Sequence, residues 1–141
     1  MQSPCFEFGW IPEFRVKREG TITWEEEESF AFENLTLVAK NYARHGFEKT
    51  IITDLRDHIV QTILEVFAEY SYRLITLWMD NDKLLKARVL EESRSSGYRD
   101  WQESLEINRT ILARGLMPNE VRFNSEQLSV DQLVASVLET F

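Results

Sequence analysis

Between Arg73 and Met79 the chain reads RLITLWM. This short apolar run is rich enough in β-branched residues to be a strand buried on both faces. Such strands belong to parallel sheets covered by helices, and parallel neighbours need long crossover connections. The chain on either side should therefore alternate helix with strand.

It does. Thr23 with Glu26 makes a capping box, and Glu25 to Glu28 crowd the first turn, where the helix dipole favours anions. Trp24, Ala31, Leu35, Val38 and Tyr42 follow at helical spacing, and Gly46 suits the stop. Thr50 to Thr53 reads as a short strand. A second helix carries Ile59, Ile63, Phe67 and Tyr70 on one face. After the Arg73 run, Asp80 and Asp82 open a charged helix, which SRSSG (Ser93 to Gly97) interrupts. A further helix from about Asp100 to Arg114 turns Trp101, Leu105 and Leu112 inward. Glu120 to Asn124 is a last strand. Ser129 and Gln132 cap a final helix bearing Leu133, Val134, Val137, Leu138 and Phe141. The opening, Met1 to Gly20, is aromatic, broken by Pro4 and Pro12, and reads as a covering loop. The fold class is α/β: a mostly parallel sheet with flanking helices, in a single domain over 1–141.

The 141 residues are enough for one domain with a core, and 43% hydrophobic content argues for a folded globule. With 16 basic against 24 acidic residues the formal charge is −8, so charge-driven binding of nucleic acid is not expected. One cysteine, Cys5, excludes an intrachain disulfide and a multi-cysteine metal site. His45 and His58 lack ligand spacing, so no metal site is assigned. No apolar run approaches the ~20 residues of a membrane span, and the N-terminus does not read as a signal peptide. A cytoplasmic protein without membrane contact is the expectation.

HGFEKTIITDLRDH, His45 to His58, carries the first chemical question. A phosphate loop reads G-x-x-x-x-G-K-[ST] between a strand and a helix. Here only two residues separate Gly46 from Lys49, and the segment runs from helix to strand. The glycine reads as a helix stop, and none of the five glycines sits in a phosphate loop. Asp54 is different. It ends a strand, where parallel sheets bind ligands, and an acid there holds a metal-bound water or accepts a proton. The plainer reading is that Asp54 or Asp57 caps the next helix. Arg56, at that helix's mouth, is placed to meet an anion.

A second feature is a local reversal of charge. Between Lys83 and Arg99 stand Lys83, Lys86, Arg88, Arg94 and Arg99 against Glu91 and Glu92. Arginines on a mobile segment close over phosphates undergoing transfer, because guanidinium forks match phosphate oxygens. An ordinary solvated face with surface ion pairs explains the same run equally well. Asn108 and Arg109 either reach this region or serve as a cap or as surface.

With these residues placed, the chain resembles the small P-loop kinases of nucleotide- and nucleoside-kinase type, from about Phe14 to Phe141. TIITDLRD resembles the third strand of that fold. RLITLWMDNDKLLKARV resembles the fourth strand and the helix bearing the first lid arginine. SRSSGYRDWQESLEINRTI resembles the lid and its following helix, and NEVRFNSEQLSVDQLVASVLETF the closing strand and terminal helix. The resemblance implies that 83–99 is a lid-like basic segment. Arg88 matches the lid arginine best, with Arg94 and Arg99 beside it. Asp54 matches the acid near magnesium and substrate, and Arg15 and Arg56 lie near the acceptor pocket. It also implies a departure: the family's first strand and phosphate loop precede everything seen here, and that strand is central in its sheet. The chain is then a piece of a longer sequence, or has rearranged its sheet, or borrows an edge from a partner.

Two expectations follow. The first is an ATP-dependent phosphotransferase of small-molecule type, using Mg and ATP if an upstream phosphate loop exists. Without that loop this chain alone is expected to be inactive and to take no cofactor. The second is a noncatalytic oligomerising or regulatory module on a remnant kinase fold. The expected partner is a small-molecule substrate or another copy of the chain, with a homo-oligomer favoured.

Overall fold

The structure, a computed structural model, describes residues 5–7, 23–53, 55–94 and 97–141. The elements are β1 (Cys5–Glu7), α1 (Trp24–Arg44), β2 (Ile51–Thr53), α2 (Asp57–Val66), β3 (Leu74–Trp78), α3 (Asp82–Leu90), α4 (Trp101–Ala113), β4 (Glu120–Asn124) and α5 (Val130–Leu138). The fold is α/β, and its strand pairs are parallel. The chain divides into two compact units, one running to Val66 and the other spanning Phe67–Phe141.

In the first unit β1 pairs with β2, Cys5 opposite Ile51 and Glu7 opposite Thr53. The opening is thus not all loop. Three residues beside Pro4 are too few to show a period, and the neighbouring strand makes them a strand. Helix α1 starts at the capping box: the Thr23 amide donates to Glu26 Oε2 at 2.9 Å and the Glu26 amide to Thr23 Oγ1 at 3.2 Å. It buries Ala31, Leu35 and Ala39 along one stripe. Gly46 follows with φ of 83°, a conformation in which a side chain would be strained. Helix α2 buries Ile59, Val60 and Ile63 and ends at Val66. Phe67 and Tyr70, expected on its face, lie beyond it and belong to the second unit. Their rings meet edge to face at 5.9 Å, and the Tyr70 amide closes a turn onto the Phe67 carbonyl at 2.8 Å.

In the second unit β3 pairs with β4 from Leu74 opposite Glu120 to Trp78 opposite Asn124. The crossover runs through α3 and α4; α3 packs on α4, and α4 on β3. Asn81, rather than Asp80 or Asp82, caps α3 by accepting from the Lys83 and Leu84 amides. Ser129 and Gln132 form the capping box of α5. Met79, Val89 and Leu105 are buried. Two expectations fail here. Leu112 is 42% exposed, because α4 turns Leu105 and Asn108 inward instead. The β3 run is not covered on both faces, since Leu77 is 48% exposed. Among the described residues, Ile52 belongs to the β1–β2 pair and Ile75 to the β3–β4 pair.

Candidate functional site

Ligands of parallel sheets bind at the carboxyl ends of strands. In the second unit that place is formed by Met79 to Asp82 and Asn124 to Glu126. The Ser125 amide and hydroxyl both donate to the Trp78 carbonyl, at 2.9 and 3.2 Å. The Asn81 amide donates to Glu126 Oε2 at 3.2 Å, and Asn124 Nδ2 to Asp80 Oδ2 at 3.4 Å. These bonds hold the two strand ends together.

Arg88 reaches this place from the last turn of α3. Its Nη1 donates to the Ser125 carbonyl at 3.2 Å and lies 3.7 Å from Met79 Sδ. Arg94 Nη1 donates to the Arg88 carbonyl at 3.3 Å, and Arg99 Nη1 to the Tyr98 carbonyl at 2.7 Å. Each of the three arginines therefore holds a backbone carbonyl of its own chain. Lys86 lies over the Trp101 ring, 3.7 Å from its centre, a cation–π contact. Arg109 pairs with Asp82 at 2.6 Å, so it meets the start of the basic segment.

In the first unit, Arg56 lies 3.8 Å from Glu28, which also takes His58 Nε2 at 2.8 Å. Glu28 thus links α1 to the start of α2. Asp54 and Arg15 lie outside the described residues. Among the described residues no group of three His, Cys, Asp or Glu is placed to hold a metal ion.

Two constellations escape the sequence reading. Asn108, buried in the middle of α4, donates from Nδ2 to the Met79 carbonyl at 2.7 Å and accepts from the Met79 amide at 3.0 Å. Glu120, whose side chain is wholly buried, accepts from both nitrogens of the Arg114 fork at 2.8 and 3.0 Å. It also accepts from Arg122 Nε at 3.1 Å, the Met117 amide at 2.8 Å and Thr76 Oγ1 at 2.6 Å. Burial pushes its pKa up, but the two guanidiniums, the amide and the hydroxyl outweigh that and hold it well below the ordinary carboxylate range. The only trace of this in the sequence is the i, i+2 spacing of Glu120 and Arg122, which puts both on one face of a strand.

The chain matches no protein-family model, no curated protein and no solved structure.

Proposed function

We propose that this chain is a P-loop small-molecule-kinase-like protein that does not transfer phosphate by itself and serves as a noncatalytic oligomerising or regulatory module. What carries the reading is the state of its arginines. Arg88, Arg94 and Arg99 each donate to a main-chain carbonyl of this chain, whereas a phosphate clamp aims its guanidinium forks at a ligand. The sequence offers no glycine-rich cradle for a triphosphate either. The parallel β3–β4 pair with its helical crossover supports the kinase-like part of the proposal. Exposed apolar residues on α5, Val134 and Leu138 among them, support an interaction role.

Phosphoryl transfer from Mg-ATP is the second reading. It is favoured by the place of Arg88, at the carboxyl ends of two parallel strands. It requires Mg and ATP, and a phosphate loop in addition to these residues. Calorimetry of the chain with Mg-ATP decides between them. The module reading expects no binding heat, and micromolar affinity overturns it.

A further inference from the structure

An ionised carboxylate can only accept a hydrogen bond. His58 Nε2 lies 2.8 Å from Glu28 Oε2, so Nε2 is the ring nitrogen that carries the proton. A neutral imidazole has one N–H, which leaves Nδ1 with a bare lone pair. The His58 side chain is 65% exposed and that of Glu28 only 12%. The carboxylate is thus the sheltered partner and the ring the accessible one. A carboxylate in this position fixes the tautomer of the ring and stabilises positive charge that develops on it. Histidine so prepared is a nucleophile through its other nitrogen.

The surroundings select the electrophile. Arg56 Nε lies 3.8 Å from the second oxygen of Glu28, which places a guanidinium close to the pair. His58 stands in the first turn of α2, where the helix dipole favours negative charge. A phosphoryl group is anionic and gains from both, since guanidinium matches phosphate oxygens. A neutral acyl group gains from neither.

We propose that Nδ1 of His58 is a phosphoryl-acceptor site for donors with a phosphorus–nitrogen bond, with Glu28 as its positioning residue. The proposal goes beyond the module reading above and does not depend on it. The Nδ1 lone pair bonds to phosphorus as the donor's phosphorus–nitrogen bond breaks. The donor nitrogen, already protonated, leaves as the neutral amine with the bonding electron pair. The ring keeps its Nε2 proton, becomes a cation, and faces the Glu28 carboxylate. One phosphorus–nitrogen bond replaces another, so the step needs no further co-reactant.

Potassium phosphoramidate, a donor of this class, tests the site on the full chain at about pH 8, where imidazole is neutral. The chain has two histidines, and His45, exposed just past α1, is the internal reference. His58 is expected to take the first phosphoryl group about tenfold faster than His45, near the low end of what a charge-assisted hydrogen bond supplies. Phosphorus magnetic resonance should place that group on Nδ1. His58→Gln should abolish the fast phase, and His45→Gln should spare it. Glu28→Gln removes the charge and frees the ring to present either nitrogen. Its rate should fall to that of His45, and both isomers should form. A Glu28 that only braces the helices would leave the isomer unchanged. Equal labelling of the two histidines, the Nε2 isomer at His58, or an unchanged rate and isomer in Glu28→Gln overturns the proposal. Mapping the labelled histidine and its isomer in the unaltered chain decides the matter even where a variant does not fold.

Discussion

The side-chain amide of Asn108 stands against Met79 as the backbone of a neighbouring strand would, donating to its carbonyl at 2.7 Å and accepting from its amide at 3.0 Å. Both partners are buried. Asn108→Leu has similar size but leaves two buried backbone groups without partners. The expected cost is roughly 2–4 kcal/mol. Asn108→Asp keeps the acceptor for the Met79 amide, loses the donor to its carbonyl, and buries a charge at neutral pH. Urea unfolding should rank the unaltered chain above both variants, and acidification should recover part of the loss in Asn108→Asp only. Equal midpoints for the unaltered chain and Asn108→Leu would show that Met79 does not depend on this amide.

Glu120 ties together three segments: β3 through Thr76, the end of α4 through Arg114, and β4 through Arg122. Arg122 also donates to the carbonyls of Ile111 and Gly115, at 2.8 Å each. Removing the carboxylate charge leaves two partly buried guanidiniums facing a neutral group. Breaking one side of a buried ion pair costs about 3–5 kcal/mol. Glu120→Gln keeps the shape and is expected near the lower end, with Glu120→Ala near the upper. Unfolding free energies from urea titration provide the check, and a loss below about 1 kcal/mol for Glu120→Ala would contradict it.

The same carboxylate sets an acid limit. An unfolded glutamate titrates near about 4.3, and Glu120 in the fold titrates lower. A folded pKa below the unfolded one means that the unfolded chain binds the proton first. The stabilisation is therefore fully present above the unfolded value, fades as pH falls below it, and is lost once Glu120 itself is protonated. Thermal midpoints should fall as pH drops below about 4, and Glu120→Gln should flatten that slope. Parallel curves for the two proteins would assign the acid sensitivity to other carboxylates.

The helix starts were legible because they are local. Thr23 with Glu26 and Ser129 with Gln132 lie three residues apart, and each forms a capping box. The Arg73 run was legible as a strand for the same reason, since its composition is its own. Its covering was not, because burial of Leu77 depends on what other segments bring to that face. Strand β1 shows the limit most plainly: three residues carry no period, and Ile51–Thr53, more than forty positions away, makes them a strand. Asn108 and Glu120 were missed on similar grounds. Asn108 looks like surface until its partner, 29 positions distant, is known, and Glu120 looks like a surface acid until the fold turns Arg114 and Arg122 onto it and brings Thr76 from 44 positions away. The arginines of 83–99 were placed by type alone, and type does not reveal whether a guanidinium faces a ligand or a carbonyl.

Arg88 offers the sharpest test of what those arginines do. If it serves the fold, its work is the bond to the Ser125 carbonyl and the contact with Met79. Arg88→Met then keeps the apolar stem and loses the charge-assisted bond, at a cost of about 1–3 kcal/mol. Arg88→Lys keeps the charge without the fork and should fall between. Inorganic phosphate or Mg-ATP should raise the melting temperature of none of the three proteins. If Arg88 instead serves an anion, the unaltered chain should be stabilised by the ligand through mass action, by about 2.7 kcal/mol at a hundred times its Kd. Arg88→Met should lose that gain. Differential scanning fluorimetry with and without each ligand separates the two, and a ligand-dependent rise confined to the unaltered protein would replace the structural role with a binding one.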